Sequence, residues 1–166
     1  MRFQRVLATL MVLALLTVAI PVVTQADTAN SSEISITDSR GVTTNLTGPA
    51  VHVASFGAFA TNTLVDIGML DAAVIFDASS EFNKSAIPEM QGMPADKFIT
   101  VGSANKDQVV QKMLELVDDG AWNKSTDVIF GYGYSYLSAI WTDLEGLGFK
   151  VITFYPNSYD GIVQVV

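Results

Sequence analysis

From Glu33 onward the hydrophobic positions first alternate and then cluster. In EISITDSRGVTTNLTGP two segments of period two, Glu33–Thr37 and Val42–Leu46, flank Asp38-Ser39-Arg40-Gly41. That is the layout of a β-hairpin closed by a glycine-containing turn, and Thr47-Gly48-Pro49 ends it. Short apolar runs follow, most of them leading into a helix-length segment. Val51–Ser55, Ala72–Phe76, Phe98–Val101, Asp127–Phe130 and Val151–Tyr155 read as strands. Ala58–Ile67, Lys106 to about Asp119, and Tyr136–Leu147 read as helices, and Tyr159 onward as the start of another. In the second helix Val109, Val110, Met113, Leu114 and Val117 fall on one side at helical spacing. Gly68 and Gly148 stand just past the first and third helices, where glycine terminates them. Continuous apolar strands alternating with helices predict a parallel sheet covered on both faces.

The expected fold class is therefore α/β: one Rossmann-like lobe over residues 33–158, preceded by a β-hairpin, with residues 159–166 opening a further helix. A chain of 166 residues supports one such domain and not two full ones. Residues 1–26 read differently. Arg2 and Arg5 precede an apolar run from Val6 to Val23, and Thr24-Gln25-Ala26 offers a small-x-small cleavage site. That pattern is a secretory signal, or alternatively an uncleaved membrane anchor. Either way the expectation is an exported chain on the outer face of the cytoplasmic membrane, periplasmic or extracellular, with residues 27–32 as a polar linker.

Charge and cysteine content narrow the chemistry. Removing Arg2 and Arg5 from the 9 basic residues leaves 7 against 17 acidic ones, a net charge of about −10. Such a surface repels nucleic acid, so no nucleic-acid partner is expected. Cysteine is absent, which excludes disulfides, thiolate metal sites and a cysteine nucleophile.

The stretch IFGYGYSYL, Ile129–Leu137, carries the most suggestive pattern. As a phosphate loop it supplies Gly131 and Gly133 but has Tyr136 where the third glycine of G-x-G-x-x-G belongs. As a nucleophile turn, Gly133-Tyr134-Ser135-Tyr136-Leu137 lacks the closing glycine, and the one histidine, His52, lies far upstream. Ser135 reads more simply as a helix N-cap. His52 reads as a solvated residue at a strand entrance, and Asp38, Asp118 and Asp119 as ordinary surface charges. No catalytic constellation, metal site or cofactor is expected.

What remains is aromatic. Ligands meet an open parallel sheet at the carboxyl ends of its strands. Those ends here are Ser55-Phe56, Phe76-Asp77, Phe130 to Tyr134, and Tyr155, with Phe59 and Phe82 in adjoining loops. Some of these rings cap the core; Tyr132 and Tyr134, between and beside glycines, are poorly placed for that duty. A cleft of rings with few charges suits a large, flat or partly apolar ligand.

The segment ITDSRGVTTNLTGPAVHVASFGAFATNTLVDIGM resembles the opening of the periplasmic-binding proteins that serve importers of iron-siderophore complexes, haem and cobalamin. In that family a D-x-x-G hairpin turn leads through a proline to a strand, a serine, and a helix with A-T-E that ends in L-G. The corresponding residues are Asp38–Gly41, Pro49, Val51–Ser55, Ala60-Thr61 and Ile67-Gly68. Thr126-Asp127-Val128-Ile129 and LEGLGFKVITFYPNSYDGIV fit the family's later pattern, so the likeness spans Glu33 to Val166.

The resemblance implies a non-catalytic solute-binding protein of an ABC importer, or one lobe of it, whose ligand is an iron chelate, haem or a corrinoid. It implies the N-terminal lobe of a two-lobed fold, with a second chain as one source of the other lobe. Phe56, Gly57, Phe59, Phe76, Tyr132 and Tyr134 become the expected ligand-binding residues. Asn62, in place of the family's glutamate, and Asp66 one turn later become the expected contacts to the permease. The alternative is an exported interaction or structural module, or a truncated gene product, that keeps the fold without transport.

Overall fold

The computed structural model describes residues 33–84 and 87–155. The expected signal, linker and helix after Tyr159 lie outside them. Strands β1 (Ile34–Thr37) and β2 (Thr43–Leu46) form the antiparallel hairpin, Ile34 opposite Leu46 and Thr37 opposite Thr43. Strands β3 (Val53–Phe56), β4 (Ala73–Asp77), β5 (Phe98–Ile99), β6 (Val128–Tyr132) and β7 (Lys150–Phe154) form one parallel sheet in the order β5-β4-β3-β6-β7. The helices are α1 (Ala58–Asp66), α2 (Lys106–Asp118) and α3 (Ser138–Gly146). The chain is thus α/β, a single Rossmann-like lobe with its hairpin.

Both sheet faces are buried, as the continuous apolar strands require. On one face Ala54, Phe56, Ile75, Ile129 and Val151 pack with Val109 and Met113 of α2 and with Ile140, Trp141 and Leu144 of α3. On the other, Val53, Ala73 and Phe76 pack with Leu64 of α1 and with Leu70 and Met90.

The hairpin lies along β7. Thr44 Oγ1 donates to the Val151 carbonyl at 3.2 Å, and the Ser39 amide donates to the Thr153 carbonyl at 3.1 Å. Asp38 Oδ2 accepts from the Thr153 amide at 3.2 Å and from its hydroxyl at 2.9 Å. The unpaired outer edge of β7, a template for unwanted strand pairing, is closed in this way. Asp38 is therefore no ordinary surface charge: its carboxylate is buried, and it also binds Arg40 Nε at 2.8 Å. Arg40 reaches on to Glu145 Oε1 at 2.6 Å, tying the hairpin to α3. Burial pushes the Asp38 carboxyl up, but the donors from Arg40, Thr153 and Val42 outweigh it and hold its pKa below the ordinary value.

Two boundaries depart from expectation for packing reasons. β6 continues through Gly131 and Tyr132, which pair with Thr153 and Phe154 of β7. A Cβ on Gly131 would stand 2.9 Å from Trp141 Cη2, so glycine serves here as the surface on which the indole lies. Gly133 likewise leaves room for a neighbour: a Cβ on it would stand 2.6 Å from Ser39 Oγ. Ser135 does not cap a helix; it opens a 3-10 turn, Ser135–Leu137, and α3 starts at Ser138 without a side-chain cap.

Candidate ligand cleft

The chain leaves β3 towards β4 and β6 towards β7, in opposite directions, although β3 and β6 are neighbours. Loops that diverge from adjacent strands open a crevice at their carboxyl ends. A cleft of about 690 Å³ occupies that end of the sheet. Tyr132 lines it from the end of β6 and Tyr134 and Tyr136 from the segment that follows, Asp77 from the end of β4 and Ser79 from the turn after it, and Ala58 from the start of α1.

Tyr132 is fixed from three directions. Trp141 Nε1 donates to its carbonyl at 2.9 Å, and the Phe59 amide donates to its hydroxyl at 3.1 Å. Its ring covers Gly57, where a Cβ would lie 2.2 Å from Cε2. Gly57 has φ +134°, a conformation side chains disfavour, so the chain can turn from β3 into α1 beneath the ring. Burial raises the Tyr132 pKa; the Phe59 bond opposes the rise, and the charge of Asp77 adds to it. The phenol therefore stays protonated at neutral pH.

The rings continue outward. Tyr132 and Tyr134 have centroids 5.2 Å apart, and Tyr134 stacks on Tyr136 at 5.6 Å and 11°. Tyr155 meets Tyr134 edge-on at 5.0 Å. Tyr136 is 60% exposed, so the series runs from the core into solvent.

The expected ligand residues separate into three groups. Tyr132 and Tyr134 line the cleft, half-buried, and Gly57 lies directly beneath Tyr132. Phe56 reaches the cleft only at its margin: it is 1% exposed and stacks with Trp141 at 6.2 Å. Phe59 and Phe76 do not line it. Phe59 lies within α1, its ring 5.1 Å from that of Phe154, and Phe76 is buried against Phe98 at 5.4 Å on the face opposite Trp141. The side chain of Phe82 is outside the described part of the chain. Asn62 and Asp66 are both exposed on α1, one turn apart.

Asp77 and Ser79 are polar members of the site that the aromatic pattern does not reveal. Asp77 Oδ1 accepts from the Val101 amide at 3.2 Å, and Oδ2 accepts from the Ser79 hydroxyl. The available signal is the polar turn Asp77-Ala78-Ser79 closing the apolar run of β4.

His52 and Asp127 lie at the amino ends of β3 and β6, away from this cleft. His52 is not simply solvated: Nδ1 is 3.0 Å from Asp127 Oδ2. Asp127 is buried and accepts from the amides of Asn123 and His52 at 2.7 and 3.2 Å, tying both strand entrances together. Burial raises its pKa, and these donors lower it further than burial raises it. Among the described residues, no cluster of three or more His, Asp or Glu side chains could hold a metal ion, and no helix is long and apolar enough to cross a membrane.

The fold and cleft define an α/β lobe with an aromatic crevice at its topological switch point. Neither a scan against protein-family models nor a search of curated proteins finds a match to the chain.

Proposed function

We propose that this chain is an extracytoplasmic solute-binding lobe that captures an iron chelate, haem or a corrinoid for delivery to an ABC permease. The observation that carries the reading is the tyrosine series lining a cleft of about 690 Å³ at the switch point of the sheet. Such a cleft offers flat π-faces to a large, partly apolar guest, and phenol groups to orient it. The resemblance from Glu33 to Val166 gives the same class. Tyr136, 60% exposed at the outer end of the series, leaves apolar area for a second lobe to cover. Asn62 and Asp66 on the exposed side of α1 are the proposed contacts to the permease.

The test is a titration of the full chain with haem, cobalamin and ferric siderophores, followed by tyrosine and tryptophan emission. Saturable quenching is expected for one class. No signal at high micromolar concentration would remove ligand capture. The neutral Asn62, which lacks the charge of the family's glutamate, favours one other reading, an exported interaction module. That reading would take over on the silent outcome.

A further inference from the structure

The cleft has a charge sign. Among the described residues its lining contains one acidic group, Asp77, and no lysine, arginine or histidine. Both Asp77 oxygens are engaged by neutral donors, the Val101 amide and the Ser79 hydroxyl, so the carboxylate is oriented but its charge is not compensated. Two of the chain's cations are committed elsewhere: Lys106 to Asp143 at 2.6 Å and Arg40 to Asp38 and Glu145.

The facing wall has the same preference. Tyrosine rings are electron-rich and attract cations; Tyr132, Tyr134 and Tyr136 all line the cleft, and Tyr136, at the outer end of the series, is 60% exposed. The amino termini of α1 and α3 are of opposite sign at this end of the sheet, and at α1 the Phe59 amide is already given to the Tyr132 hydroxyl. The formal net charge of −8 adds a field that draws cations towards the surface.

We infer that the cleft selects ligands with a positively charged group, an ammonium on an otherwise flat or apolar body, and disfavours polyanions. This rests on the ligand-capture reading and narrows it. A hydroxamate-type chelate with a pendant amine fits; a catecholate chelate, or haem with its two carboxylates, would set like charge against Asp77.

The experiment compares three probes on the full chain: a ferric trihydroxamate with a pendant ammonium, the same chelate N-acetylated to neutrality, and a ferric tricatecholate. The ammonium form should bind about tenfold more tightly than its acetylated counterpart. That ratio should shrink in high salt and approach one in Asp77→Asn, with the acetylated form's affinity unchanged. The tricatecholate should bind most weakly. Because Asp77→Asn also alters the hold on Val101, its melting temperature is compared first, and the salt dependence of the wild-type ratio gives a reading that needs no variant. Equal binding of the ammonium and acetylated forms, insensitive to salt, would overturn charge selection and leave ligand capture standing. Tightest binding of the tricatecholate would do the same. Failure of all three to bind would remove capture of iron chelates, and this inference with it.

Discussion

Tyr132 and Gly57 occupy one another's space: a single added carbon on Gly57 would fall 2.2 Å from Tyr132 Cε2 and 2.9 Å from Cζ. The glycine bends β3 into α1 and the tyrosine covers the bend, so the switch point and the aromatic wall are one construction. Gly57→Ala should combine an unfavourable φ with a steric clash and cost about 2–4 kcal/mol. Urea unfolding measures it. Adding Tyr132→Ala should recover the steric part and leave the backbone part, a positive coupling that independent sites would not show.

Gly131 makes the corresponding prediction beneath the cleft. Its missing side chain admits Trp141, whose indole N–H holds the Tyr132 carbonyl at 2.9 Å. Gly131→Ala should cost about 1–3 kcal/mol by overpacking. The displaced indole should appear as a shift in tryptophan emission.

Acid should loosen the hairpin and the strand entrances. Asp38 and Asp127 both titrate below the ordinary carboxyl value of 3.8 in the folded chain. A lowered folded pKa means that the stabilisation is complete above the unfolded pKa and is lost as pH falls through it towards the folded one. The melting temperature should be flat from pH 7 to about 5 and fall below about 4. Asp38→Asn should lower stability at pH 7 by about 3 kcal/mol, since Arg40 and Thr153 lose a buried charged partner. Its deficit against wild type should narrow at pH 3, below the ordinary value of 3.8, where the unfolded wild-type chain binds a proton that the folded one resists; a constant deficit would contradict the assignment.

Tyr134 should separate binding from folding. Its ring stacks between those of Tyr132 and Tyr136 in a half-buried position. Tyr134→Ala should weaken the tightest-binding probe about tenfold while moving the melting temperature little. Phe76→Ala should do the opposite: a ring buried against Phe98 costs about 3–5 kcal/mol when removed, with no direct effect on affinity.

The sequence disclosed the rims of the cleft but not which way each ring turns. Phe56, Phe59, Phe76, Tyr132 and Tyr134 look alike along the chain, as aromatic residues at or near strand ends. Phe56 follows Ala54 onto the face that packs with Trp141, whereas Phe76 shares the face of Val53 and Leu64. Both rings are thereby spent on the core. Gly131 was legible as a glycine but not as a strand residue, because its presence there depends on an indole that arrives ten positions later. Asp38 resembled any turn aspartate until β7, more than a hundred residues downstream, was seen to bring Thr153 against it.

Local pattern by itself determined the hairpin, the alternation of strands and helices, the α/β class and the concentration of tyrosines after β6. These follow from period-two and 3.6-residue repeats and from glycine stops, interactions that span a few positions. Only the tertiary structure decided that Tyr132 closes over Gly57, that Asp77 shares a cleft with the tyrosines, and that Asp38 is a buried clamp. Each of these is a meeting of residues from different elements, and its energy depends on distances that chain order does not encode.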